Sequence, residues 1–161
     1  MEEKFDFKVI EIKRVAKTVE GGKRLKIRAV VVVGNFNGKV GLGVAKGDDI
    51  ADAVMKARRL AEKNAINVPI VNGTIPFEIK NKFSATRILL RPVKSGKGLV
   101  SGSSVRMVLS LAGYTDISAK ILGTTKNPLV NALATIKTLD KLQKVYEKKL
   151  KLKNASSSNK V

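Results

Sequence analysis

The side chains best placed to do chemistry in this chain are cations set beside glycines. From Arg14 to Arg24 the sequence reads RVAKTVEGGKR, which places Arg14, Lys17, Lys23 and Arg24 around the pair Gly21-Gly22. Adjacent glycines let a backbone turn sharply and approach a phosphate closely, while flanking cations neutralise its charge. An ordinary long hairpin loop would carry the same glycines, so both readings stand. A second candidate is Lys94-Ser95-Gly96-Lys97-Gly98, followed by Gly102-Ser103-Ser104 at a helix start. Backbone amides and a helix N-terminus favour an anion or a partner there; a flexible turn is the plainer alternative. A third stretch, Gly38 to Gly47 (GKVGLGVAKG), lacks the spacing of a dinucleotide fingerprint, and no Walker sequence follows. Alternate glycines in a strand mean that another backbone or a nucleic acid comes close, and the sequence leaves both open.

Composition narrows the chemistry. The chain has no His and no Cys, which removes the usual general base, zinc sites, disulfides and a Ser-His-Asp triad. The only acidic cluster is Asp48, Asp49 and Asp52, and it precedes an apolar-periodic run. It therefore reads as a helix N-terminus rather than a metal site. Lys and Arg total 32 against 13 Asp and Glu, a formal charge of +19 on 161 residues. Such a surplus repels itself unless a polyanion neutralises it, and nucleic acid is the polyanion of matching charge density. Aromatics make up 4% of the chain and supply no stacking platform, which favours reading folded RNA by backbone and shape. No apolar run approaches a membrane span, and the start Met1-Glu2-Glu3 has no signal-peptide pattern. The expected setting is cytoplasmic.

These residues need elements to hold them. Phe5 to Val15 is apolar-rich, and Leu25, Ile27, Ala29, Val31 and Val33 alternate cleanly. Gly34 to Gly38 reads as a hairpin turn, and Val40, Leu42 and Val44 alternate with Gly41 and Gly43. Asp48 or Asp49 would cap a helix with Ile50, Val54, Ala57 and Ala61 on one face and Lys56, Arg59 and Lys63 on another. That basic face fits RNA, or simply solvent. Asn67 to Gly73 is a plausible linker. Beyond it, Ile75, Phe77 and Ile79 alternate, then Ile88 and Leu90. A helix with Val105, Val108, Leu109 and Ala112 stops at Gly113. Ile117 to Leu122 reads as a strand, and Asn127-Pro128 opens a helix striped by Leu129, Leu133, Ile136 and Leu139. After Leu142 the chain is Lys-rich, then Ser/Asn-rich, and reads as a solvated or RNA-ordered tail.

The order of these motifs resembles that of bacterial ribosomal protein five of the small subunit, from about Phe7 to Leu142. The carrying segments are RVAKTVEGGKR, VVVGNFNGKVGLGVAKG at Val31–Gly47 and AVMKARRLAEKNAINV at Ala53–Val68. They continue with NGTIPFEIKNKFSATRILLRP at Asn72–Pro92, SGKGLVSGSSVRMVLSLAG at Ser95–Gly113 and AKILGTTKNPLVNALATIKTL at Ala119–Leu139. The resemblance implies an α+β protein. Residues 5–68 would form a β-β-β-α domain like a double-stranded-RNA-binding fold, and 74–142 an α+β domain of the family's second type. Residues 143–161 would be a basic tail.

Also implied are a non-enzymatic role with no cofactor, binding to small-subunit ribosomal RNA at the head–body junction, and support of assembly and translational accuracy. Partners would be the fourth and eighth small-subunit proteins, with mRNA near its entry channel and no self-association. Carried over, Lys17, Thr18, Val19, Gly21, Gly22 and Lys23 would face RNA in a loop where changes give spectinomycin resistance. The residue reading adds Arg14, Arg24, Lys46, Lys56, Arg59, Lys63, Lys94, Lys97 and Lys126. Gly98, Ser101, Gly102, Ser103, Ser104 and Arg106 would meet the fourth protein. The chain departs from the family pattern at Glu20, often basic there, at Leu42, often aromatic, and at Ala45 and Gly47. The rivals are a phosphotransferase or ATPase built on the second domain's fold, which would need a Walker lysine and a Mg²⁺ carboxylate pair, and a general duplex-RNA chaperone.

Overall fold

A computed structural model describes the backbone of residues 4–158 and the side chains of residues 4–152. The acidic start, residues 1–3, and the last three residues of the Ser/Asn/Lys-rich end lie outside the described residues. The chain runs β1 (Asp6–Val19), β2 (Gly22–Gly34), β3 (Lys39–Gly47), α1 (Ile50–Lys63) and β4 (Ile66–Asn67). It continues through β5 (Ile79–Phe83), β6 (Thr86–Pro92), β7 (Leu99–Val100), α2 (Ser103–Ala112), β8 (Ile117–Ile121) and α3 (Pro128–Ser158). The class is α+β. The first sheet has order β1-β2-β3-β4 and the second β5-β6-β8-β7, antiparallel except for the β7–β8 pair.

The elements stack in four layers. Ala29, Val31 and Val33 of β2 face α1, and Val30 and Val32 face the other way. That second face meets α2 and α3, which in turn cover the inner side of the second sheet through Ile79, Ile88 and Leu90. Because α2 is enclosed on both sides, apolar residues surround it: Val105, Val108, Leu109, Leu111 and Ala112 are all buried. Backbone bonds tie the halves together. The Phe36 N–H donates to the Leu111 carbonyl at 3.0 Å and the Gly38 N–H to the Ala112 carbonyl at 2.9 Å. These acceptors belong to the last turn of α2, whose carbonyls have no intrahelical partner. The buried Tyr114 hydroxyl donates to the Pro69 carbonyl at 2.9 Å, and burial pushes that phenol's pKa up.

Three sequence expectations change on folding. The α1 face turned inward is Ala53, Ala57 and Ala61, while Ile50 is 48% exposed. The reason is the glycine track on β3. A Cβ at Gly41 would strike the Ala61 carbonyl and one at Gly43 the Ala57 carbonyl, so helix and strand approach until only alanine fits between them. The strand expected from Ile75 begins instead at Ile79. Pro76 cannot donate to a ladder, so Ile75 is buried from irregular backbone. Finally, α3 does not stop near Leu142 but continues to Ser158. Lys, Leu, Glu and Gln are good helix formers. Spacing of i,i+4 lets Lys144 reach Asp140 at 2.7 Å and Gln143 reach Glu147 at 2.6 Å.

Candidate nucleic-acid interface

The segment Arg14–Arg24 is not a loop but the end of a long β-hairpin. Only Glu20 and Gly21 separate the strands, with Val19 opposite Gly22. Gly21 at φ 83° and Gly22 at φ 154° make this tight reversal possible, and a Cβ on either would meet nothing within 4 Å. β3 pairs with β2 only from Ile27 onward. Val15–Val19 and Gly22–Lys26 therefore form a two-stranded ribbon, about 17 Å long at the usual rise per residue.

Register sorts the ribbon's side chains, because opposite residues in an antiparallel pair share a face. Lys17 lies opposite Arg24, Val15 opposite Lys26, and Lys13 opposite Arg28, which lies opposite Lys46 on β3. These six cations continue the face that carries Val30, Val32, Val40 and Leu42. The face is apolar where α2 and α3 cover it and becomes cationic beyond them. Glu11 marks the change. It receives Lys13 at 2.8 Å and Arg28 at 3.4 Å, while Lys26 reaches the exposed Asp48 at 3.3 Å. Lys17 and Arg24 have no ion pair among the described residues and project beyond the folded body. Exposed pairs such as Lys26–Asp48 are worth little in water, so a polyanion would displace them cheaply.

The expected cations do not form one cluster. Lys17, Arg24 and Lys46 share the ribbon face. Arg14, Thr18 and Lys23 lie on the reverse, with Ile27 and Leu25, on the side of α1. Lys56, Arg59 and Lys63 are exposed on α1 itself, and Lys56 is held by Asp52 at 2.7 Å. Lys94 and Lys97 follow β6 at the Pro92–Ile117 end of the second sheet, whereas Lys126 follows β8 at the opposite end. Register adds Lys13, Lys26 and Arg28, which are not among the cations expected from the sequence. The alignment of Arg28 with Lys13 on one side and Lys46 on the other depends on register, although the alternation from Lys13 to Lys17 is a readable signal.

The glycine loop after β6 serves the protein's own carboxylate. The Gly98 N–H donates to Asp116 at 2.8 Å, and the Thr115 hydroxyl donates to the same side chain at 3.0 Å. Gly98's amide chiefly, then Thr115 and the amides of Gly96 and Lys97, hold the Asp116 pKa below its ordinary value against the effect of burial. The anion expected at these amides is therefore internal. Ser104 is likewise buried, while Gly102, Ser103 and Arg106 are exposed at the start of α2. No group of three or more metal-ligating side chains occurs among the described residues. No helix among them is long and apolar enough to cross a membrane.

Both halves of the chain match known protein families. The model of the ribosomal protein S5 N-terminal domain matches residues 5–69, and that of the C-terminal domain matches residues 81–152. The chain is 49% identical over 140 residues to small ribosomal subunit protein uS5 of Thermotoga neapolitana, covering 87% of this chain and 78% of that one. It is 40% identical over 152 residues to the protein of the same name from Mycoplasmopsis synoviae, covering 91% and 61%. With both domain models matched in order and 40–49% identity to such relatives over most of its length, the chain belongs to the ribosomal protein S5 family, structural and non-enzymatic components of the small ribosomal subunit.

Proposed function

We propose that this ribosomal constituent grips small-subunit ribosomal RNA through the cationic face of its β1–β2 ribbon. The observation that carries the reading is the register that aligns Lys13, Lys17, Arg24, Lys26, Arg28 and Lys46 on one face, beyond the part of the sheet that α2 and α3 cover. A ribbon of this width can approach a nucleic-acid groove or backbone, and its lack of aromatic side chains suits phosphates rather than unstacked bases. The α1 cations Lys56, Arg59 and Lys63 would meet RNA from the other side of the sheet, with Arg14, Thr18 and Lys23 turned toward them. Lys94, Lys97 and Lys126 would add contacts from the second half.

The same reading extends to the assembled particle. The chain would sit at the head–body junction and support assembly and decoding accuracy, near the mRNA entry channel. Gly98, Ser101, Gly102, Ser103 and Arg106 would meet the fourth small-subunit protein, with the buried Ser104 shaping that surface from within. The eighth protein would be a second neighbour. Residues 5–68 and 74–142 would act as two units sharing one core, with the basic end of the chain cytoplasmic and RNA-bound. The test is the triple variant Lys17→Gln, Arg24→Gln, Lys26→Gln. Its binding to small-subunit rRNA should lose salt dependence, by about 0.7–0.9 in the log–log slope per lost phosphate contact. An unchanged slope would remove the ribbon from the interface.

A further inference from the structure

The outer face of the second sheet is a row of cations that the hairpin reading leaves unused. Register places Lys82 opposite Arg87, Lys80 opposite Leu89, and Leu89 opposite Lys120. Arg91 follows on the same face, opposite Ser118. Side chains alternate along β6, so Thr86, Ile88 and Leu90 are buried against the helices while Arg87 and Arg91 are exposed on the other side. Lys80, Lys82 and Lys120 are exposed as well. The sole acid alongside, Glu78, is held by Arg91 at 2.9 Å. At the β5 edge, Lys141 of α3 joins Lys80, Asn81, Lys82 and Arg87 around an open cleft. The sheet face thus bridges the two ends that carry Lys94 and Lys97 on one side and Lys126 on the other.

We infer that this open sheet face is a second, separate RNA-docking surface, which takes the phosphate backbone of a folded ribosomal RNA segment. Three observations on the face select that occupant. Its charge is predominantly positive, since Lys80, Lys82, Arg87, Arg91 and Lys120 face one acid among the described residues, Glu78, which pairs with Arg91. It presents no aromatic side chain, so it offers no stacking for splayed bases. Its cations stand on rigid, paired strands, with Lys80 and Lys82 about 7 Å apart along β5 at the usual rise per residue. A row of fixed charges fits a regular array of phosphates better than it fits an acidic peptide, whose carboxylates hang on mobile side chains. The layer order also separates this surface from the ribbon, since α2 and α3 lie between the two sheets. The inference shares with the ribbon reading only the identity of the polyanion.

The test uses the full chain and small-subunit rRNA. Lys80→Gln, Lys82→Gln and Lys120→Gln together should leave the melting temperature unchanged. They should weaken rRNA binding at least about tenfold at low salt and lower the log–log salt slope by about 2–3. Combined with the ribbon variant, the slope losses should add, because the two surfaces share no residue. If the ribbon variant alone has no effect, the ribbon reading fails and this one stands. If the sheet variant keeps the parent's slope and affinity, this surface is not an RNA site. A measurement on the unmodified chain guards against a folding defect. Lys80, Lys82 and Lys120 should acetylate more slowly in the rRNA complex than in the free protein, and equal reactivity in both would overturn the inference.

Discussion

Glycine does two opposite jobs in this molecule, one at the tip of the β1–β2 ribbon and one in the seam between β3 and α1. At the tip, Gly21 and Gly22 face open space, and their value is conformational: a positive φ that lets two strands reverse in two residues. In the seam, Gly41 and Gly43 sit in ordinary strand backbone, and their value is the missing Cβ, whose place the Ala61 and Ala57 carbonyls occupy. The residues look alike in a sequence. One set leaves its surroundings free for a ligand, and the other is consumed by packing. A glycine-rich run is therefore a question about what lies within 4 Å, not an answer about phosphate.

The sharpest break of this comparison is in the seam. Gly43→Val should force α1 off the sheet and destabilise the chain by about 3 kcal/mol or more, since close-packed backbone cannot move aside for a side chain. Urea denaturation checks it, and a variant as stable as the parent would mean the seam is slack. Next comes the loop of Gly96 and Gly98, which looks like the tip but bonds inward. The Asp116 pKa is depressed in the folded chain, so its bonds stabilise the fold above the unfolded carboxylate's pKa. That stability is lost as pH falls through the lower, folded value. Melting temperature should drop in acid, and Asp116→Asn should flatten the drop while lowering stability at neutral pH.

At the tip itself the effects shrink. Gly21→Ala should cost about 1 kcal/mol through its positive φ alone, with no steric term. Gly22→Asp should weaken rRNA binding more than it weakens the fold, because it puts a negative charge where the ribbon's cations converge. Thermal melts paired with rRNA titrations separate the two losses. The smallest stability change belongs to Lys17→Gln, expected within about 0.5 kcal/mol because its side chain is exposed and has no ion pair among the described residues. A large melting shift there would show that the ribbon serves folding.

Much of the fold was legible locally. Alternation from Leu25 to Val33, the turn at Gly34–Gly38, the stop at Gly113 and the cap at Asn127 all depend on neighbours in sequence. In the structure Gly113 has φ 101°, and the Leu129 N–H donates to the Asn127 side chain at 3.1 Å. Misreadings arose where a distant element decided the outcome. The inward face of α1 followed the glycines of β3 rather than the largest apolar residues. The Lys-rich end, expected as a solvated or RNA-ordered tail, continues α3 because Lys, Leu and Glu are good helix formers. Of the candidate site, the cations of the hairpin were visible, but their division between two faces was not. The second sheet's outer row was missed because Lys80, Lys82, Arg87 and Lys120 are spread over three strands.

Composition and local pattern carry the excess of positive charge, the absence of His and Cys chemistry, the order of the longer strands and helices, and the family resemblance. Those depend on composition and short-range pattern, which survive without knowing what touches what. Tertiary structure alone decided that Asp116 takes the amides of the glycine loop, that α1 closes onto the glycines of β3, and that Arg28 lies beside Lys13 and Lys46. Periodicity tells which residues share a face. Which faces meet is set by packing between segments far apart in the chain, where burial and hydrogen-bond satisfaction choose among many compatible pairings.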